Sequence, residues 1–260
     1  THQGDISEFR GKVVAIDGYC WLHKGVFGCA SQFAKGNDCT SYVNYFMKFI
    51  DLLERNSIKP VVVFDGKYLP AKVEVEEKRK EQRAENLSAA KKLLAVNKDK
   101  SKAMKMFASS IDVTHEMALN VIKVLRSRNI DYVVAPYEAD AQLAYLNQYY
   151  VDAVVTEDSD LIVFGCDRII FKLTLTGECT IFNKEKLPLC FDSQAHQFSF
   201  DKFRYLCILS GCDYLASLTG IGLKKAAEFV KTAFRNNSYT LQNVSLLEHE
   251  SIKYTFLFLT

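Results

Sequence analysis

Four apolar runs in this chain each end in acid, and that repeated grammar constrains the fold more than any other feature. Val13-Val14-Ala15-Ile16 ends in Asp17, Val61-Val62-Val63-Phe64 ends in Asp65, and Tyr132-Val133-Val134-Ala135 leads through Pro136 to Glu138 and Asp140. The fourth, Val151-Asp152-Ala153-Val154-Val155, runs into Glu157, Asp158 and Asp160. β-Branched runs of this length suit buried strands, and a doubly wound α/β sheet presents the carboxyl ends of its parallel strands to one edge. If the backbone stays extended there, Asp158 and Asp160 point the same way. Two carboxylates held that close repel by about 1 kcal/mol in bulk water and about 4 kcal/mol at an effective dielectric near 20, so they need a cation or a shared proton. A single acidic cluster would read as a solvated turn capping the next helix. Four that share the pattern predict convergence.

The 260 residues, 48% of them hydrophobic, suffice for one large α/β domain or a domain with a small appendage. The net charge of +2 hides an asymmetry: residues 67–105 carry twelve Lys and Arg against six Asp and Glu, leaving the remainder at −4. A basic segment attached to an acidic centre suits a polyanionic substrate cut with metal ions. The eight cysteines include no Cys-x-x-Cys pair, so neither a disulfide framework nor a zinc site is legible, and the expectation is free thiols in a reducing compartment. The start, Thr1-His2-Gln3-Gly4-Asp5, is not a secretory signal, and no segment is long enough to cross a bilayer. A soluble intracellular protein is expected, and the lack of an initiator Met marks a fragment or processed form.

Taken in order, Gly18 permits a tight turn beside Asp17 and opens a helix in which Tyr19 and His23, four apart, share a face that could stack on a nucleotide. Trp21 reads as core. Residues 42–55 form an amphipathic helix with Tyr45, Phe46, Phe49 and Leu52 inward. Residues 70–95 are rich in helix formers yet charged on every side, which predicts a helix weakly held by packing; Lys72, Arg79 and Arg83 form a basic stripe along it. A further helix over 101–109 precedes one over 117–128 capped by Thr114, and another spans 139–149. Glu138 and Asp140 converge only if that last helix starts late. Strands over 168–172 and 179–182 join through Thr176-Gly177, and a helix over 199–209 leads to Ser210-Gly211-Cys212-Asp213. Gly220-Ile221-Gly222 then opens a helix over 223–234 with Lys224 and Lys225 in its first turn, an arrangement that offers backbone N–H groups and cations to a phosphate. Residues 236–260 carry no functional signal.

With Asp213 the acidic set numbers seven: Asp17, Asp65, Glu138, Asp140, Asp158, Asp160 and Asp213. Oxygen ligands without His or Cys select Mg²⁺ or Mn²⁺ over zinc. Two such ions about 4 Å apart can activate a water on one side of a phosphodiester and stabilise the leaving oxygen on the other. The cationic stripe would add charge stabilisation at the phosphate. No nucleophile elbow, Walker-type phosphate loop or dinucleotide fingerprint competes with this reading.

From Gly11 to about Phe234 the sequence closely resembles the structure-specific 5′ nucleases, the superfamily of flap endonuclease and the xeroderma group G nuclease, and within it the exonuclease branch. The resemblance is carried by Ala15-Ile16-Asp17-Gly18-Tyr19-Cys20-Trp21-Leu22-His23-Lys24-Gly25, Val63-Phe64-Asp65-Gly66, Ala135-Pro136-Tyr137-Glu138-Ala139-Asp140-Ala141-Gln142, Thr156-Glu157-Asp158-Ser159-Asp160-Leu161 and Leu209-Ser210-Gly211-Cys212-Asp213-Tyr214. It implies a central mostly parallel twisted sheet flanked by helices (a PIN-like core), split over 1–69 and 113–198. A helical arch over 70–112, a helix-hairpin-helix element over 199–235 and a truncated C-terminal segment over 236–260 complete the implied division.

The implied activity is Mg²⁺-dependent 5′ to 3′ exonuclease action on double-stranded DNA with 5′ flap cleavage, through two ions with Mn²⁺ as a substitute. All seven acids become metal ligands. Lys72 and Arg79 become catalytic contacts to the scissile phosphate, assisted by Arg83. Tyr19 and His23 lie near the unstacked terminal nucleotide; Gly220, Gly222, Lys224 and Lys225 bind the duplex beside a K⁺ held near Ser210, Ser217 and Ile221. The implied partners are DNA with a nick, gap, recessed 5′ end or 5′ flap, and mismatch-repair and replication proteins reached through a C-terminal tail; the implied setting is a nuclear monomer without membrane contact. Thr1–Phe9 departs from the family's Met-Gly start, and the chain stops before the closing helices. Two rivals stand beside this reading: a dedicated flap endonuclease, and a module that binds nicks or junctions without cutting.

Overall fold

The computed structural model describes residues 1–95, 99–214 and 220–233, with backbone alone at 191–197 and 231–233. The chain divides into two units: Thr1–Leu69 with Glu76–Lys184, and Pro70–Val75 with Glu185–Thr260.

The first unit is built on a seven-stranded sheet. Its strands are β1 (His2–Asp5), β2 (Val13–Asp17), β3 (Lys59–Phe64), β4 (Asp131–Val134), β5 (Ala153–Val155), β6 (Arg168–Phe171) and β7 (Glu178–Asn183), in the spatial order β1-β7-β6-β5-β2-β3-β4. The four pairings from β6 to β4 are parallel, as the buried β-branched runs require. β7 returns antiparallel to β6 after the turn at Gly177 (φ 100°), and β1 adds antiparallel to β7 with His2 opposite Ile181. Sequence reasoning did not foresee β1, whose four residues lack any apolar run; backbone pairing to β7 holds it, with the Thr180 hydroxyl donating to Gln3 Oε1 at 3.4 Å.

The helices are α1 (Gly18–Gly28), α2 (Ala30–Phe33), α3 (Ser41–Arg55), α4 (Val73–Ala95), α5 (Lys100–Ala108), α6 (His115–Ser127), α7 (Ala139–Tyr149), α8 (Asp160–Phe164), α9 (Phe200–Ser210) and α10 (Leu223–Ala233). Aromatic packing fixes the first two long helices on the sheet: Trp21 of α1 stacks on Phe49 of α3 at 4.8 Å, and Phe46 lies 6.3 Å from Phe64 at the end of β3. Trp21, Phe46 and Phe64 are essentially inaccessible to solvent, so each contributes about 2–3 kcal/mol of burial to joining α1, α3 and β3. Thr114 caps α6 as expected, accepting from the Met117 N–H at 3.3 Å. Across the 23 residues of α4 only Ala90 is buried, which agrees with a helix that packing holds weakly.

Three expectations need correction. Lys72 is not part of α4: it ends a 3₁₀ turn over Pro70–Lys72, so it does not share a continuous helical stripe with Arg79 and Arg83. The thiols are not all free, because Cys29 and Cys39 form a disulfide; the chain folds back between α1 and α3 and brings their Cα atoms to 6.0 Å. The backbone does not stay extended from Asp158 to Asp160. β5 ends at Val155, Ser159 is already helical (φ −74°, ψ −15°), and α8 begins at Asp160.

The second unit holds α9 and α10, joined by a small core of Leu209, Ala226 and Val230 against which Tyr205, Leu206 and Ile221 pack. Among the described residues no helix is long and apolar enough to cross a membrane.

Candidate active site

The carboxyl edge of β2, β3, β4 and β5 gathers six of the seven predicted acids. Asp17 ends β2 and caps α1, its Oδ1 accepting from the Cys20 N–H at 3.1 Å. Gly18 follows because α1 starts hard against β3: a Cβ there would stand 2.7 Å from the Phe64 ring and 2.9 Å from the Val63 carbonyl. Asp65 follows β3, and its Oδ1 accepts from the Ala139 N–H at 2.7 Å, which places one carboxylate at the start of α7. Gly66 lets the same loop lie on residues 135–137, where its N–H donates to the Tyr137 carbonyl at 2.6 Å.

Glu138 is the extended residue before α7 (φ −81°, ψ 149°) and Asp140 sits in its first turn, so the helix starts late enough to separate the two from a regular i, i+2 divergence. Asp158 turns its Oδ1 back to the Asp160 N–H at 2.8 Å. The solvated-turn reading of this stretch is therefore partly right: Asp158 does stabilise the start of α8.

Electrostatics tie these groups together. Burial pushes Asp17 up to about 6; hydrogen bonds from Cys20 and Thr156 oppose the rise, and the charges of Asp65 and Asp158 add to it. Asp17 thus feels both Asp65 and Asp158. Burial likewise pushes the Cys166 thiol up to about 12, reinforced by Asp167 and Asp140, which sets Asp140 near the end of α8. Among the described residues no group of three or more His, Cys, Asp or Glu is arranged to hold a metal ion. Mutually repelling carboxylates do not close on one another without a counter-charge.

Asp213 and Lys72 lie in the second unit, paired at 3.9 Å, with the buried Lys72 ammonium 4.5 Å from the centre of the Tyr214 ring. Arg79 pairs with Glu76 at 2.7 Å and Arg83 with Asp112 at 3.5 Å. Both arginines are felt at His23, which is held below the usual histidine value. Removal of water by surrounding protein is the main cause; Arg83 and Arg79 add to it, and Asp112 and Glu76 oppose it. Tyr19 donates to or accepts from His115 Nδ1 at 3.0 Å, and burial, then Asp65 and Asp112, pushes its phenol up to about 12. Tyr19, His23, Arg79 and Arg83 therefore share one neighbourhood in the first unit.

In the second unit, Gly220 takes the left-handed conformation (φ 79°), and a Cβ on Gly222 would meet open space, which leaves the helix start accessible. Lys224 and Lys225 are exposed beside it, Ile221 packs inward, and Ser210 Oγ donates to the Cys207 carbonyl at 2.9 Å. Ser217 lies outside the described residues.

Sequence reasoning missed the hydroxyl bridge of Thr156, the pairing of Glu157 with Lys24, and His115. Glu157 Oε1 accepts from Lys24 Nζ of α1 and from the Lys172 N–H at 3.0 Å, so it braces the acidic turn from outside. None of these contacts announces itself by spacing, because apart from the local bond between Thr156 and Asp158 the partners lie 15 to 139 positions away.

Family models assign residues 1–86 to the XPG N-terminal domain and residues 129–213 to the XPG I-region. The chain belongs to the XPG nuclease family. Among curated proteins it is 49% identical to Exonuclease 1 of Drosophila melanogaster over 231 residues, which covers 88% of this chain and 31% of that protein. It therefore spans less than a third of the length of the first relatives it matches. Flap endonuclease-1 from Methanococcus jannaschii superposes with a TM-score of 0.59 at 25% identity, over 92% of this chain and 79% of that one. The catalytic core of Rad2 in complex with DNA substrate gives a TM-score of 0.65 at 22% identity, over 98% and 74%, a likeness of fold. The mixed sheet flanked by helices is the sheet of these nucleases.

Proposed function

We propose that this chain is the nuclease core of a divalent-metal-dependent enzyme that degrades double-stranded DNA from a 5′ end and also cuts 5′ flaps. The observation that carries this is the single sheet edge where Asp17 feels both Asp65 and Asp158, with Glu138, Asp140 and Asp160 at the adjoining helix starts. A donor set made only of carboxylates fits Mg²⁺, with Mn²⁺ as the substitute. Magnesium bound there, as two ions, would neutralise the acids and supply Lewis acidity toward the scissile phosphate.

The chain's own groups then divide the work. Arg79 leaves Glu76 for the phosphate, assisted by Arg83, and adds charge stabilisation where negative charge develops. Tyr19 and His23 offer ring faces to the unstacked terminal nucleotide. The Gly220-Ile221-Gly222 turn, with Lys224 and Lys225, holds the duplex backbone beside a K⁺ near Ser210, Ser217 and Ile221. Lys72 and Asp213 receive their phosphate-contact and ligand roles from the family motif alone. Residues 70–112 act as an arch and 199–235 as a helix-hairpin-helix. The setting is DNA repair in the nucleus, by a monomer acting on nicks, gaps, recessed 5′ ends and flaps, with mismatch-repair and replication proteins as partners.

The test is digestion of a nicked duplex, labelled at the 3′ end of the strand being degraded, by this chain and by Asp160→Ala, in Mg²⁺ and in EDTA. Progressive shortening from the 5′ side that needs both Mg²⁺ and Asp160 is the expected result. Equal cutting by the variant would remove Asp160 from the metal site. Binding of the nick without any turnover would instead make the chain a recognition module.

A further inference from the structure

We propose that Thr156 is a positioning residue that sets the separation of Asp17 and Asp158 through a single hydroxyl; the inference rests on the metal-centre reading above. Thr156 is 1% exposed and lies just beyond the end of β5. Its Oγ1 lies 2.9 Å from Asp17 Oδ2 and 3.0 Å from the Asp158 nitrogen. With Asp17 ionised the roles are fixed, because the Asp158 N–H can only donate, the carboxylate can only accept and the hydroxyl carries one proton. The oxygen must accept from Asp158 and give its proton to Asp17.

The backbone beneath is anchored, since the Thr156 N–H donates to the Ile170 carbonyl of β6 at 3.2 Å. A β-branched side chain also has few rotamers, so a buried threonine holds its oxygen more firmly than a serine would. One rigid oxygen therefore bridges the end of β2 and the acidic turn after β5. It satisfies the second Asp17 oxygen and ties it to the Asp158 backbone, where the like charges of the two residues would otherwise drive them apart. Groups that orient metal ligands from behind in this way typically alter metal affinity or activity by about ten- to a hundred-fold when removed.

The comparison is between the unvaried chain, Thr156→Val, which keeps the shape and loses the hydroxyl, and Thr156→Ser, which restores it. Thr156→Cys, of similar size with a poor hydrogen-bonding group, is run beside them in case valine does not fold. Mn²⁺ uptake is followed by electron paramagnetic resonance, together with the Mn²⁺ concentration for half-maximal digestion and nick binding in EDTA. Valine and cysteine are expected to weaken Mn²⁺ uptake about ten-fold or more and to raise the half-maximal concentration in parallel. Nick binding in EDTA stays unchanged, and serine recovers most of the loss. Mn²⁺ uptake by the folded valine or cysteine chain equal to that of the unvaried chain, or a serine chain no better than valine, overturns the role of Thr156 alone. No Mn²⁺ uptake by the unvaried chain, with no metal-dependent digestion, overturns the metal centre and this inference with it.

Discussion

Asp17 carries an energetic conflict that a pH series can expose. Its folded value is raised to about 6 from 3.8, so the folded chain holds a proton there between those pH values that the unfolded chain has released. Stability from this group is therefore present below about pH 4, falls as pH rises toward 6, and stays reduced at neutral pH by up to about 3 kcal/mol. Asp17→Asn keeps the acceptor for Cys20 and removes the charge. In EDTA at pH 7 its melting temperature is expected to exceed that of the unvaried chain by several degrees, with the gap closing toward pH 4, while digestion is lost. A gap independent of pH, read by differential scanning calorimetry, would mean that burial does not raise Asp17. At this scale the sequence named the acids themselves, because carboxylates at strand ends are visible in one dimension. It displayed Thr156 and Glu157 in the same run without revealing their roles, which depend on Asp17 and Lys24 from distant parts of the chain.

Elements were largely legible where apolar periodicity was strong. β2 to β7 and α3, α6 and α7 fall within a residue or two of their expected positions, since all but the partly exposed β4 bury residues that the pattern already displayed. The misreadings occurred where local geometry overrode pattern: at β1, at the 3₁₀ turn holding Lys72, and at the turn into α8. The Asp65-Gly66 loop shows how closely such local geometry is set. A Cβ on Gly66 would collide with the Ala135 carbonyl oxygen, which is backbone and cannot swing aside, whereas a Cβ on Gly28 would meet nothing within 4 Å. Gly66→Ala is expected to cost about 3 kcal/mol or more, and Gly28→Ala to be neutral or stabilising by up to about 1 kcal/mol. Urea denaturation checks both; a Gly66→Ala loss no larger than that of Gly28→Ala would show that the loop can move aside.

For the whole molecule, charge is distributed so that residues 67–105 carry +6 on a chain whose remainder is −4. Non-specific attraction to DNA should then be strongly salt-dependent and concentrated in that stretch. With Ca²⁺ in place of Mg²⁺, Lys78, Lys80, Lys91 and Lys92 replaced together by Gln should lower the slope of log Kd against log salt by about one for each phosphate that is no longer neutralised. An unchanged slope would place the duplex elsewhere. The order of strands in the sheet has a further consequence, this one in time. The four acid-bearing ends lie side by side as β5-β2-β3-β4, although β2 and β5 are separated by more than half of the described chain. β2 gains its second neighbour only after β5 has been made, so a partly synthesised or partly unfolded chain holds scattered acids and no centre. The acidic edge is thus completed late and in one step, with the closing of the longest-range parallel pairing in the sheet, and any activity that depends on that edge arrives with it.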